Sequence, residues 1–159
     1  MQLSLHADYG LRVLLYLGSH PGEIVATKRI SDAYGISKNH LVRVMQTLGD
    51  HGYIRVIPGR AGGVTLAKDP STIRLGEVVR DAEPNLHLVE CFDLATNTCP
   101  ILGVCGLKSH LQHALDAFLA ELNKNTLADL LTPARRKTLA SAFVQLQRAS
   151  SASSHTPRH

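Results

Sequence analysis

Three cysteines, Cys91, Cys99 and Cys105, fall within fifteen residues in the pattern C-x7-C-x5-C. Thiolates are soft ligands suited to zinc and to iron–sulfur clusters. The spacing lacks the paired C-x2-C units of a structural zinc site. The intervening loop carries Asp, Asn, Thr and Gly, which let a chain wrap around a bound group. An odd and small number of cysteines rules out a disulfide scaffold. Spacing alone leaves three readings open: an iron–sulfur cluster, zinc completed by an added His, or no metal. The last covers a thiol redox pair and three small apolar side chains. A fourth ligand has local candidates in His87, Asp93, His110 and His113, and a distant one in Asp8. Asp8 also suits the first turn of a helix, where an acid faces the positive end of the dipole.

A second constellation is Ser37-Lys38-Asn39-His40, followed by Arg43. These side chains can bond to base edges and phosphates. Residues three and four apart are neighbours on a helix, so positions 39, 40 and 43 share a face opposite Leu41, Val44 and Leu48. Lys28 precedes them, and Arg55 and Arg60 follow, the latter in the glycine-rich turn Gly59–Gly63. An Arg on such a tip is suited to a narrow minor groove.

These residues need elements to position them. Leu11, Leu14, Leu15 and Gly18 predict a helix over 5–19, ended by His20-Pro21-Gly22. Thr27 is read as the N-cap of a short helix through Tyr34, with Gly35 just past its end. Ser37 caps a third helix that Gly52 stops. Residues 53–58 and 64–66 read as strands of a hairpin. This order describes a winged helix-turn-helix, whose second helix enters the major groove by its N-terminal end. Leu75, Val78 and Val79 predict a short helix ending near Glu83-Pro84. Residues 91–106 read as irregular. Leu107, Leu111, Leu115, Phe118 and Leu122 then form an apolar seam along a long helix. Thr126–Asp129 resembles a capping box. Pro133 opens a weaker, basic helical segment over 134–148, with Ala149–His159 expected to be disordered.

The chain has 159 residues, 44% apolar and 4% aromatic, with a net charge of +4. That supports a packed core in a mainly α protein and excludes wholesale disorder. No apolar run approaches the roughly 18 residues of a membrane span, and the N-terminus lacks signal-peptide character, so a cytoplasmic location is expected. Charge is segregated: residues 1–60 hold seven basic and four acidic side chains, residues 61–129 hold five and nine, and residues 130–159 hold five and none. A basic first third is the footprint expected of a nucleic-acid surface, and charge alone fits a solvated face of Lys and Arg still better. No nucleophile–base pair, phosphate loop after a strand, or substrate pocket pattern supports an enzyme. The expected organisation is a winged helix-turn-helix over 1–70, a connecting helix and cysteine loop over 71–106, the long helix over 107–131 and a basic, partly disordered tail over 132–159.

The chain resembles the iron–sulfur winged-helix repressors. The likeness rests on LHADYGLRVLL (Leu5–Leu15), GISKNHLV (Gly35–Val42), GRAGGVTL (Gly59–Leu66), IRLGEVVRDAEP (Ile73–Pro84), the cysteine loop into Leu107-Lys108, and TLADL (Thr126–Leu130). It runs from Met1 to about Leu131 and is stronger to the nitric-oxide-sensing members than to the cluster-assembly regulators. The resemblance implies a homodimer whose long helices cross, making 107–131 the dimerisation helix. It implies a 4Fe–4S cluster on Cys91, Cys99 and Cys105, with 2Fe–2S as the alternative, and Asp8 of the partner subunit as fourth ligand. The cluster-assembly regulators use a His three residues after the last cysteine, where this chain has Lys108. The implied function is repression at a palindromic double-stranded DNA operator, lost when nitric oxide reacts with the cluster. The alternatives are a regulator of the same fold sensing iron, oxidative or cluster status, and a cluster-free thiol or zinc regulator.

Overall fold

The computed structural model describes residues 2–153. The first helix, α1 (Leu5–Ser19), lies at the centre. The Ser4 hydroxyl caps it by accepting from the Ala7 amide at 3.1 Å, and the Ser4 amide donates to Glu83 Oε1 at 2.7 Å. Ala7, Val13, Leu14, Tyr16 and Leu17 are buried, so α1 meets neighbours on most of its circumference. The later helices over 38–50, 75–82, 127–130 and 133–153 all pack on it.

Helix α2 (Thr27–Tyr34) and helix α3 (Lys38–Asp50) form the helix-turn-helix. Gly35 makes the turn at φ 64°, a left-handed conformation that costs glycine least. Ser37 caps α3 as expected, accepting from the His40 amide at 3.3 Å. Thr27 is not the cap of α2. Ala26 holds that position, because the preceding segment is extended and pairs Val25 with Val64. Thr27 is already helical, and its hydroxyl donates to Met45 Sδ at 3.7 Å.

Strands β1 (Ile54–Ile57) and β2 (Gly63–Leu66) form the antiparallel wing, with Val56 opposite Val64. Val25 pairs with the free edge of β2 through two hydrogen bonds of 2.8 Å. A Cβ on Gly63 would lie 2.3 Å from the Val25 carbonyl oxygen, so only glycine permits this approach.

Helix α4 (Leu75–Ala82) packs between α1 and helix α5 (Leu107–Leu122). The expected seam of α5 is only partly used within the chain. Leu115 and Leu119 are buried, Leu111, Phe118 and Leu122 are half-buried, and Leu107 is 57% exposed. Leu119, not counted in that seam, carries the burial because α4 meets α5 from one side. The short helix α6 (Leu127–Leu130) opens with the expected capping box, in which Asp129 Oδ2 accepts from the Thr126 amide at 2.7 Å and from its hydroxyl at 2.8 Å.

Helix α7 (Pro133–Ser153) runs past the expected end at 148, so the disorder expected from Ala149 does not hold over 149–153; residues 154–159 lie outside the described residues. Nor is α7 merely a basic tail. Its Phe143 is 5% exposed and packs 4.7 Å from the Tyr16 ring and 5.3 Å from the Tyr34 ring. Among the described residues no helix is long and apolar enough to cross a membrane.

Candidate functional site

Helix α3 sorts its side chains by position. Leu41, Val44, Met45 and Leu48 face the core. Lys38, Asn39, His40, Val42, Arg43 and Gln46 are exposed. Lys38, Arg43, Arg55 and Arg60 make no side-chain hydrogen bond or ion pair among the described residues, so their charges stay available. Lys28 is exposed as expected but engages Asp32 at 2.6 Å, one turn along α2. His40 sits on the border toward α1, with its ring 6.2 Å from that of Tyr9, in a cleft shared with Leu5, His6 and Arg43. His40 and Arg43 thus line one cleft, as their spacing suggests, and Asn39 is exposed one residue before His40. Val42 and Gln46, which sequence reasoning passed over, are exposed on the opposite, wing-side border.

Asp8 stands in the first turn of α1, as its type suggests, and forms a two-point pair with Arg12. The Arg12 guanidinium also lies over the Tyr9 and Tyr34 rings, at 5.7 and 5.9 Å. The Tyr34 hydroxyl donates to the Arg12 carbonyl at 3.1 Å. Burial raises that phenol's pKa well above its ordinary value.

The three cysteines are free and half-buried, on the segment between α4 and α5. Local hydrogen bonds shape it. Glu90 Oε1 accepts from the Thr98 amide and hydroxyl, both at 2.6 Å, joining the neighbours of Cys91 and Cys99. These bonds hold the Glu90 carboxyl below its usual range. Asp93 is held low chiefly by the Ala95 amide and then by the Thr96 hydroxyl. The Cys105 amide donates to the Ile101 carbonyl at 2.9 Å, closing a last turn before α5. His87, His110 and His113 are exposed. Among the described residues no three His, Cys, Asp or Glu side chains stand together as a metal site. The donor types nevertheless fit an iron–sulfur cluster: three free thiols, each reachable from solvent, on a loop without strand or α-helix.

The sequence pattern of one family, described as Rrf2, iron-dependent transcriptional regulator, matches residues 3–133. The chain belongs to the Rrf2 family. Among its relatives, the HTH-type transcriptional regulator NsrR of Bacillus subtilis (strain 168) is 50% identical over 132 residues, covering 82% of this chain and 90% of that protein. The NsrR of Halalkalibacterium halodurans is 49% identical over 133 residues, covering 83% and 91%. Of solved structures, T. potens IscR superposes with a TM-score of 0.65 at 25% identity, over 82% of this chain and 86% of that one. CymR of B. subtilis, titled the global cysteine regulator, gives 0.63 at 25% identity, over 82% and 95%. The fold is thus the winged helix of Rrf2 transcriptional regulators, a DNA-binding class. Helix α7 begins where the family match ends.

Proposed function

We propose that this Rrf2 protein is a cytoplasmic homodimeric repressor that binds a palindromic operator and responds to nitric oxide through an iron–sulfur cluster. The observation carrying this reading is the half identity to NsrR-named regulators across nearly their whole length, with Cys91, Cys99 and Cys105 all present and free. The three thiolates would hold a 4Fe–4S cluster, or 2Fe–2S as the alternative, with Asp8 of the partner subunit as fourth ligand. The cluster would supply an iron that binds nitric oxide.

The chain's own residues supply the rest. A carboxylate is a harder and weaker partner for cluster iron than a thiolate, so Asp8 marks the exchangeable position. The Glu90–Thr98 pairing holds the Cys91 and Cys99 segments together. Packing contacts link α5 to α4, α4 to α1, and α1 to α3, and Ser4 is bonded to Glu83 across the α1–α4 junction. A displaced α1 therefore moves the reading helix. Two reading helices must stand about 34–36 Å apart to meet successive major grooves, so a small rotation ends operator binding. The half-open apolar seam of α5 supplies the surface for the dimer.

The test is an anaerobic nitric oxide titration that follows visible absorption and operator affinity together at fixed salt. Bleaching in step with lost affinity supports the proposal. Unchanged affinity overturns it. A second reading, a cluster-free thiol regulator, is favoured by the structural likeness to CymR, titled the global cysteine regulator. Iron-free protein that keeps operator affinity and loses it on thiol oxidation would establish that reading.

A further inference from the structure

The side chains of α3 advance about 100° per residue. Leu41, Val44, Met45 and Leu48 fix the core direction. The opposite stripe runs through Asn39, Arg43, Gln46 and Asp50, with Val42 on its wing-side border. Val42 is 52% exposed. With Gln46 it lines a cleft of about 750 Å³ between α3 and the wing, whose far wall includes Arg55 and Val56. The fold gains little from a valine there. A β-branched residue is a weak helix former, and an exposed one buries little apolar surface. Single exposed apolar side chains are common on proteins, so exposure alone decides nothing.

Its company does. Val42 lies three residues after Asn39 and four before Gln46, one helical turn from each. Both amides are exposed and make no side-chain hydrogen bond among the described residues. Asn and Gln pair with the N6 and N7 edge of adenine, and an apolar side chain contacts the thymine methyl group. All three side chains in this patch therefore suit one kind of base pair. Asp50, at the far end of the same stripe, repels phosphate, so the N-terminal half of α3 is the end that enters the groove.

We propose that Val42 is a specificity-determining residue that reads the 5-methyl group of a thymine in the major groove, flanked by Asn39 and Gln46 on adenines. The proposal rests on the DNA-reading assignment of α3 and adds the class of base pair read.

The experiment uses the full chain, purified without oxygen, to select duplexes from a random pool. Each thymine of the selected duplex is then replaced singly by uracil, which removes only the methyl group. Affinities are measured at fixed salt. We expect one thymine per half-site whose replacement costs the wild type about fourfold, equivalent to about 0.8 kcal/mol for one buried methyl. Val42→Ala binds the thymine and uracil duplexes equally. Val42→Thr, which keeps a methyl group at the same branch, retains most of the discrimination. Wild-type protein indifferent to every uracil, or Val42→Ala with full discrimination, overturns the proposal. A selection that enriches no duplex overturns the DNA-reading assignment itself, a distinguishable failure.

Discussion

The Asp8 carboxylate and the Arg12 guanidinium face each other across one turn of α1, with contacts of 3.0 Å from Nε to Oδ1 and 2.6 Å from Nη2 to Oδ2. Both side chains are more than a third exposed, and such surface pairs are worth about 0–1 kcal/mol. Asp8 can therefore leave Arg12 at little cost. If Asp8 ligates iron in the partner subunit, Arg12 is its competitor. Arg12→Met is expected to slow iron release to a chelator, and Asp8→Ala to accelerate it, with the helical spectrum unchanged in both. Identical release rates in all three proteins would return Asp8 to a helix-stabilising role.

Arg43 is exposed on α3 with its guanidinium unengaged. Arg43→Ala is expected to weaken binding to a selected duplex by about 1–3 kcal/mol and to relax base preference at one position. The wing residue Arg60 should behave differently: Arg60→Ala weakens binding to all sequences and lowers the salt slope by about one. Fluorescence anisotropy on selected and random duplexes over a salt series separates the two. Equal losses on both DNAs for Arg43→Ala would assign it to phosphate.

Alkaline stability should report the wing–α4 junction. The Tyr53 hydroxyl donates to Asp81 Oδ2 at 2.6 Å, and His51 Nδ1 lies 3.3 Å from the same oxygen. Burial first, and then the Asp81 carboxylate, raise the Tyr53 phenol's pKa well above its ordinary 10.0. The unfolded chain releases this proton near its ordinary pKa, whereas the fold retains it. The phenol's contribution is thus complete below about pH 10 and is lost as pH rises toward the folded value. Urea midpoints are expected to fall between about pH 9 and about pH 11. Tyr53→Phe should give a shallower fall, and an unchanged slope would place the loss at Tyr34 or elsewhere.

Phe143 closes an aromatic cluster with Tyr16 and Tyr34, and His20 stacks on Tyr16 at 4.5 Å. Phe143→Ala is expected to cost about 3–5 kcal/mol, read as a lower urea midpoint. A loss near zero would mean that α7 is not seated on α1 and α2 in solution.

The parts legible in the sequence are those fixed by local rules. Ser37 and Gly35 set the helix-turn-helix from a cap and a left-handed turn, and Thr126 with Asp129 set α6. The parts that escaped depend on distant partners. Thr27 looks like a cap until Val25 is seen to pair with Val64. Phe143 looks incidental among Arg135, Arg136 and Lys137 until its ring partners from α1 and α2 are in place. The site divides the same way. Spacing marked the exposed Asn39, His40 and Arg43, but not the Tyr9 ring that borders His40 from α1. No periodicity marks Val42, because a valine in a helix reads as core until its neighbours leave it uncovered. The cysteine spacing likewise says nothing of how far the thiols stand from one another.

The seating of α7 also bears on how the protein is made. The reading head is encoded in the first third of the chain, yet one wall of its core arrives with the last described helix. During synthesis the N-terminal elements emerge first and begin to fold. Tyr16 and Tyr34 must then wait, uncovered, until Phe143 is translated. Completion of the reading head is therefore a late event, set by the rear of the message. A translational pause or a frameshift after codon 131 would yield a chain that holds the cysteines and the recognition helix but lacks the wall that Phe143 provides.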